Sequence, residues 1–378
     1  MEGLSTIFPV GQGLFYSCSI KDDLSTYNFV FDCGQDAKNS LTDVHNINSL
    51  INQYNEINTS GTIDMLIVSH FHADHINGIN ELLKNFNVKN IFIPYYQRWK
   101  NHRETFKFFL SLFELRSEET KIIIVPPSPI DNEDEINEFN FLEFTIDLEN
   151  HVEKIDDYSD GEKDYNIYRF NESKIRFRVS DWYFDLFNIE ISEKEYRALN
   201  KEIREALRYF GYTNLSDYLQ KASKAQINSI KKWYLNAITS LGSKGDILNN
   251  TSICLLHCPI QSLYAQNPWS ITLLTGDINL SNKNNLLLFD KYFSYVKNKI
   301  HVFFLPHHGS NANWHLDLIN FTDSECVYIC NCGVANTYKH PSLKVLKDII
   351  QSNKQFHIVN ELTDRYLIPI YLYPIINK

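Results

Sequence analysis

Residues 63–79 read Ile-Asp-Met-Leu-Ile-Val-Ser-His-Phe-His-Ala-Asp-His-Ile-Asn-Gly-Ile. The short apolar run Met65–Val68 is bounded by polar residues, a pattern that predicts a buried strand. His70, His72, Asp74 and His75 follow this strand directly. Imidazole and carboxylate groups are the ligands that hold Zn²⁺, Mn²⁺ or Fe²⁺ in proteins. A single histidine here would indicate only a polar loop, but four potential ligands at one strand end predict a metal site.

This segment resembles the HxHxDH signature of the metallo-β-lactamase fold. The resemblance implies an α/β protein with a metallo-β-lactamase-like αββα sandwich and two divalent metal ions, Zn²⁺ or Mn²⁺. It also implies that His70 and His72 bind metal one, whereas Asp74 and His75 bind metal two. Asp74 is in addition the predicted catalytic residue that orients the attacking hydroxide.

Composition and charge leave the class of partner open. The chain has 378 residues, of which 43% are apolar, so it can bury a large core. We find no signal peptide and no long apolar span, and therefore expect a cytoplasmic protein without membrane contact. The net charge of the chain is −10. Residues 131–164 alone carry 14 Asp or Glu and 2 Lys, which gives this segment a charge of −12. The remainder is then about +2, which neither excludes a phosphate substrate nor indicates non-specific DNA binding.

Seven cysteines occur at irregular spacing, without a CxxC pair. Most of them lie in apolar, strand-like runs, where cysteine behaves as a small buried hydrophobe. We therefore predict reduced core residues rather than a disulfide framework or a zinc knuckle. They are Cys18, Cys33, Cys254, Cys258, Cys326, Cys330 and Cys332.

Alternating strands and helices follow the N-terminal glycine motif, which predicts a layered α/β fold. Val10-Gly-Gln-Gly13, then a strand ending in Asp32-x-Gly34, then the histidine motif, resembles the metallohydrolase domain of ComEC-type DNA-uptake proteins. Leu14 stands where those sequences usually carry Asp. We predict a hydrolase core from 1–128 and 246–378.

The middle of the chain differs in character. We predict that the acidic segment and its strands, residues 129–189, complete the core. Residues 190–245 are predicted to form an inserted helical subdomain, because a capping box at Ser192–Glu195 precedes apolar residues at helical spacing. The segments 190–245 and 131–164 are the candidate surfaces for a protein partner. A solvated face is the ordinary interpretation of such a charge run.

The C-terminal half supplies the remaining predicted site residues. Leu-Thr-Gly-Asp277, then Pro-His307-His308-Gly-Ser310, then Asn-x-Tyr-x-His340-Pro, resembles the second half of the same subgroup in the same order. The resemblance implies that Asp277 bridges both metals and that His308 completes metal two. His307 would then be a catalytic proton donor, although the two histidines could exchange roles. His340 and Ser310 are candidate substrate contacts, and a surface loop histidine is an equal alternative for His340.

One ligand of metal one, a histidine in the family, has no clear counterpart. His151 and His257 are the available histidines. If residues 252–257 and the strand ending at Asp277 form a hairpin, His257 lies at the far edge of the sheet. His257 is then a buried strand residue. We expect the strand before this hairpin to end on the same edge as Asp277, which makes Asp181 the candidate ligand.

We therefore predict a binuclear metal-dependent hydrolase that uses a metal-bound hydroxide, most plausibly a phosphodiesterase or nuclease. The expected substrate is a phosphodiester in nucleic acid or a nucleotide, on the strength of the ComEC-type resemblance. The alternative is a non-catalytic metal-binding scaffold or regulatory subunit of a multi-protein system, such as one for phage defence.

Overall fold

The fold is taken from a computed structural model. It describes residues 2–94, 113, 120–128, 152–154, 166–170, 175–190, 246–265 and 270–371, with scattered positions between 197 and 230. Apart from residues 152–154, the acidic segment 131–164 lies outside the described residues, as does His151.

Within the described residues, two sheets contain all the strands. The first has the order β16-β1-β2-β3-β4-β5-β6-β8-β7, in which β3, β4, β5, β6 and β8 are parallel to one another. Its strands are β1 Glu2–Ile7, β2 Phe15–Lys21, β3 Thr26–Cys33, β4 Thr62–Ile67, β5 Asn87–Pro94, β6 Lys121–Val125, β7 Val152–Lys154, β8 Asn166–Phe170 and β16 Tyr366–Tyr371.

The second sheet has the order β15-β14-β13-β12-β11-β10-β9. Its strands are β9 Ile175–Val179, β10 Trp182–Phe187, β11 Cys254–Pro259, β12 Thr272–Leu274, β13 Ile300–Phe304, β14 Thr322–Asn331 and β15 Gln355–Val359. The strands β12 to β15 run parallel, whereas β9 to β12 alternate in direction. The last strand of the chain, β16, joins the first sheet beside β1.

Helices cover the outer face of each sheet. The described helices are α1 Ile47–Ile57, α2 Ala73–Ile76, α3 Ile79–Asn85, α4 Asp246–Asn250, α5 Ile260–Tyr264, α6 Lys283–Tyr292 and α7 Leu343–Gln351. Asn46 and Ser342 cap α1 and α7, because their side chains accept hydrogen bonds from Ser49 N and Val345 N. Each helix then buries one apolar face against its sheet.

The strands place alternate side chains in two apolar layers. In β4, Met65 and Ile67 point between the two sheets, whereas Leu66 and Ile63 pack in the layer under α1 and α3. A separate layer lies under α6 and α7 on the outside of the second sheet. The order of layers is therefore helix, sheet, sheet, helix, and the predicted αββα sandwich is confirmed.

Described positions of the predicted helical insertion pack against the first sheet's outer layer. Ile203, Leu207, Tyr218 and Ile230 are buried in the same apolar cluster as Phe71. The predicted boundaries of this insertion and of the other segments stay predictions. None of the helices in the described part of the chain has both the length and the apolar character needed to cross a bilayer. All seven cysteines are free and buried, as predicted.

The prediction for Asp181 is wrong. Trp182–Phe187 forms an additional strand, β10, which is antiparallel to β9 and to β11. Because each antiparallel step reverses direction, β10 and not β9 ends on the edge that holds Asp277. Asp181 lies in the turn between β9 and β10, where it is exposed and its carbonyl accepts from Ile260 N (2.8 Å).

His257 is a buried core residue, as predicted. Its Nε2 lies 2.7 Å from Tyr16 Oη, and Trp182 Nε1 donates to its Nδ1 (3.3 Å). The acceptor role at Nδ1 assigns the hydrogen to Nε2 and keeps the ring neutral. Burial lowers the pKa of His257 to about 3.

This buried histidine predicts a specific acid sensitivity. Because the unfolded chain protonates His257 near its ordinary pKa and the folded chain does not, stability is lost as pH falls from about 6.5 towards 3. Between pH 7.5 and 4.5, wild type should lose about 2 kcal/mol more unfolding free energy than His257→Gln, whose amide does not titrate. Urea denaturation at both pH values measures this. An identical pH-dependent loss in both proteins contradicts it, and the loop variant His45→Gln is the control.

Candidate metal centre

Loops at the carboxyl ends of parallel strands converge at one edge of the sandwich. β4 leads into His70–His75, β12 into Asp277, and β13 into His307 and His308. Carboxyl ends of parallel strands are where α/β sheets commonly build their sites. Three stretches that are distant in sequence thus meet in one cluster.

The carboxylate of Asp277 lies at the centre of this cluster and is 2% exposed. Its Oδ1 lies 3.1 Å from His75 Nε2 and 3.8 Å from His308 Nε2. Its Oδ2 lies 3.6 Å from His70 Nε2 and 3.6 Å from His307 Nε2. Each carboxylate oxygen therefore faces a different set of imidazoles, the arrangement that a carboxylate shared between two cations requires.

Two groups of ligand atoms share Asp277. The first group contains one ligand atom each from Asp74, His75, Asp277 and His308. The second group contains one ligand atom each from His70, His72 and Asp277. Within each group, all these atoms lie within 4.8 Å of one another. His70 Nε2 and His72 Nδ1 are 3.0 Å apart. The structure thus brings together six of the sequence-predicted metal ligands, and it leaves Asp181 outside.

The backbone at His307 and His308 is unusual. Both residues have left-handed φ angles, 48° and 53°, and Gly309 follows with φ 78°. Non-glycine residues adopt this region at a cost of roughly 1 kcal/mol or more each. The turn brings two consecutive imidazoles to opposite oxygens of Asp277, so the strained backbone serves the site.

Neighbouring groups fix the orientation of the imidazoles. His75 Nδ1 lies 2.7 Å from Asp32 Oδ2, and His308 Nδ1 lies 2.9 Å from the carbonyl of Asn331. A carboxylate and a carbonyl only accept, so both Nδ1 atoms carry a hydrogen, and Nε2 is the atom of each ring that faces the cluster and could bind a cation. Hydrogen bonds of this kind hold histidine ligands in metalloproteins.

The cluster's composition fits divalent cations. Asp277 Oδ2 is buried without a hydrogen-bond partner, and His75 Nε2 is also unpartnered despite its short distance to Oδ1. Asp32, Asp74 and Asp277 bring three carboxylates into a nearly water-free site, where isolated charges are expensive. Mixed imidazole and carboxylate donors suit Zn²⁺, Mn²⁺ or Fe²⁺. The residues present therefore fit a pair of such ions.

Burial and charge act in opposite directions on the imidazole pKa values. Burial holds the pKa of His70 well below its usual value and lowers that of His72 to about 4. Burial also opposes protonation of His75, but the carboxylates of Asp277, Asp32 and Asp74 raise its pKa well above the usual value. His70 and His72 are thus unprotonated at neutral pH, as ligation requires. At His75 a cation would take the place of a proton.

Two glycines let the N-terminal loops contact the metal-ligand backbone. A Cβ on Gly34 would lie 2.4 Å from the Asp74 carbonyl carbon, and one on Gly13 would lie 2.7 Å from the Asp74 oxygen. Gly13 also has a φ of 138°, which favours glycine. Leu14 N donates to Asp74 O (3.1 Å). The Gly-Gln-Gly and Asp-x-Gly motifs therefore hold the Asp74–His75 backbone in place.

The two candidate substrate contacts have different surroundings. The His340 ring lies 5.3 Å from that of His307, and its buried Nδ1 has no hydrogen-bond partner. Burial, followed by the nearby His307 and His308, lowers the pKa of His340 to about 3. Ser310 is buried and its Oγ accepts from Ala312 N (3.3 Å), so it supports the turn after Gly309. Contact of either residue with substrate stays a prediction.

Sequence reasoning gave no role to Asp32. Its Oδ1 accepts from Ser69 N (2.7 Å) and its Oδ2 accepts from Ser69 Oγ (2.6 Å) as well as facing His75. The carboxylate thus ties the end of β3 to the start of the histidine motif. Its position at a strand end, two residues before a glycine, was the available signal.

Asp32→Asn should weaken metal binding without removing a metal ligand. An amide nitrogen facing His75 would require Nδ1 to accept, which moves the hydrogen to Nε2 and blocks ligation. Loss of such an orienting partner typically costs about 10–100-fold in metal affinity. Competition with a chromophoric chelator measures it, with buried Asp64→Asn in β4 as the matched control. Equal affinity in Asp32→Asn and wild type contradicts the role.

Two family models match parts of the chain. The family model described as anti-Pycsar protein Apyc1 matches residues 15–94, and that of the metallo-beta-lactamase superfamily matches residues 59–152. No curated protein matches the chain. Among solved structures, the metallo-beta-lactamase fold protein YhfI from Bacillus subtilis is similar at 9% identity and a TM-score of 0.39, covering 98% of this chain and 100% of that one. Over residues 59–152, the stretch that holds the histidine motif, the chain is therefore similar to the metallo-beta-lactamase superfamily.

Proposed function

We propose that the chain is a binuclear metal-dependent phosphodiesterase. The observation that carries this proposal is the pair of ligand groups that share the Asp277 carboxylate. Two cations held there would polarise the phosphoryl group and lower the pKa of a water molecule. A scaffold protein without turnover has no need for such a complete and strained set of ligands.

The chain's own residues hold the reacting groups. The Asp74 carboxylate lies 3.2 Å from His308 Nε2. Burial raises the pKa of Asp74, but the nearby His75 and His308 outweigh it and hold this pKa well below the usual range. Asp74 is therefore ionised at neutral pH and can accept a hydrogen bond from the attacking water. The neutral His340 ring beside His307 offers a further hydrogen-bonding group to the substrate.

An exposed aromatic ring beside His340, that of Tyr338, supports a nucleotide-like substrate. Tyr338 is 43% exposed, and its ring stacks on His340 with centroids 5.6 Å apart. Its hydroxyl lies 3.4 Å from Asp36 Oδ2, and Thr337 donates to Asn39 Oδ1 (2.8 Å), which anchors the loop. Exposed aromatic rings stack on nucleobases with little sequence preference. We infer a phosphodiester that carries a base or another aromatic group.

The family comparisons support the same direction. One matching family is named for an anti-Pycsar protein, which favours a role connected with phage defence. The ordered motifs of the C-terminal half, shared in pattern with ComEC-type sequences, favour a phosphodiester over a lactam. Whether the physiological substrate is nucleic acid or a free nucleotide is decided by assaying single-stranded DNA, RNA and cyclic nucleotides in parallel.

The activity should depend on both ligand groups. In the presence of Zn²⁺ or Mn²⁺, the chain should cleave bis-p-nitrophenyl phosphate, and His72→Ala or Asp277→Ala should lower kcat/KM by at least about 100-fold through lost transition-state stabilisation. Circular dichroism checks that the variants remain folded. His45→Ala, in the loop before α1, is the matched histidine control. Unchanged turnover in either site variant would overturn the assignment.

Tyr338→Ala tests the role of this aromatic ring. Removing a stacking surface costs about 1–3 kcal/mol per base, so KM for a nucleotide substrate should rise about 5–100-fold. KM for a dialkyl phosphodiester, which has no aromatic group, should change little. Tyr338→Phe, which keeps the ring, should behave as wild type. Equal losses on both kinds of substrate would indicate a role in folding the loop instead.

A further inference from the structure

The two ligand groups around Asp277 are unequal. Asp74, His75 and His308 join Asp277 on the side of Oδ1, whereas only His70 and His72 join it in the group on the side of Oδ2. Catalytic zinc sites normally take three protein ligands and keep one open position, and a bridging carboxylate with two imidazoles only just reaches that number. The candidate Asp181, exposed at the opposite edge, cannot supply a further ligand.

A fifth imidazole lies beside Asp277 Oδ2. His307 Nε2 is 3.6 Å from this oxygen, the same separation as that of His70 Nε2. Atoms that coordinate one zinc ion at about 2.0–2.2 Å lie roughly 3–3.5 Å from each other. His307 Nε2 lies outside the group in which the ligand atoms of His70, His72 and Asp277 are all within 4.8 Å of one another, so the His307 ring must move towards them to coordinate an ion that also contacts Oδ2.

Hydrogen bonds determine which nitrogen of His307 has the lone pair. Asn313 Nδ2 donates to the backbone carbonyl of Asp277 (2.9 Å), which fixes the orientation of the amide. Asn313 Oδ1 consequently faces His307 Nδ1 at 2.9 Å. Asn249 Nδ2 lies farther from the same Nδ1, at 3.4 Å. An amide oxygen only accepts, so the shorter contact with Asn313 favours a hydrogen on Nδ1 and a lone pair on Nε2, which faces Asp277. His75 and His308 have this same pattern, with an acceptor at Nδ1 and Nε2 at the cluster.

We propose that His307 is the third imidazole ligand of metal one, alongside His70 and His72. This rests on the proposed function only in that the cluster holds two cations. Consecutive histidines, His307 and His308, thereby bind different metals on opposite oxygens of Asp277. Successive side chains in an ordinary strand point to opposite faces of the sheet. The strained turn at His307 and His308 instead directs both rings towards Asp277.

The assignment changes the expected chemistry of His307. A ring whose Nε2 lone pair is used in coordination and whose Nδ1 hydrogen is bound to Asn313 has no proton to give to a leaving group. Among the described residues of the site, His340, whose buried Nδ1 has no partner there, is then the imidazole that can contact substrate.

Metal content of the folded, full-length chain tests the assignment independently of activity. After dialysis against limiting buffered Zn²⁺, wild type and His340→Ala should each retain about two ions, and His307→Ala about one. With Co²⁺, the ion that remains in His307→Ala should have the visible spectrum of metal two. The ion that remains in His308→Ala should have that of metal one.

His307→Gln provides a second variant if the alanine variant does not fold. Its amide fills a similar volume, but is a weaker ligand than imidazole, so affinity at metal one should fall by at least about tenfold. Two ions bound with wild-type affinity in either variant would overturn the assignment and restore His307 as a substrate-facing residue. A wild-type chain that binds no ion would overturn the proposed function as well.

Discussion

The buried carboxylate of Asp277 contacts histidines from both halves of the chain, and the site depends on these contacts. This carboxylate is buried at the end of β12 in the second sheet, yet its oxygens face histidines that follow β4 in the first sheet. A buried carboxylate without compensation is costly, so the imidazoles and any bound cations stabilise the contact between the sheets as well as the site. Binding two cations to the folded chain should accordingly raise its resistance to unfolding.

Hydrogen bonds to the outer nitrogens of the imidazoles make this arrangement specific. Asp32 near the end of β3, the Asn331 carbonyl at the end of β14 and Asn313 each face the Nδ1 atom of one histidine. Because each of these partners accepts, the contacts favour the orientation in which Nε2 of each ring faces Asp277. The glycines at 13 and 34 then allow the N-terminal loops to lie directly against the backbone of Asp74.

Local patterns in the sequence predicted the layered fold and a metal site at His70–His75, whereas the family resemblance implied Asp277 and His308. The run Met65–Val68 followed by the histidine motif placed ligands at a strand end, and the order of later motifs indicated Asp277 and His308. Strand direction was harder to predict. The sequence analysis did not recognise Trp182–Phe187 as a strand. Because this strand runs antiparallel to β9, omitting it placed the end of β9, and with it Asp181, on the wrong edge of the sheet. Asp32 and Asn313 act through partners that only the folded chain brings near. The Asp32-x-Gly34 motif marked the position of Asp32 but not its partner His75, and no local pattern marked Asn313.

Anomalous diffraction from crystals of the zinc-loaded chain tests the central claim most directly. We expect two zinc peaks about 3.5–4 Å apart, with one carboxylate oxygen of Asp277 bound to each. A single peak, or two peaks of which neither contacts Asp277, would contradict the binuclear site.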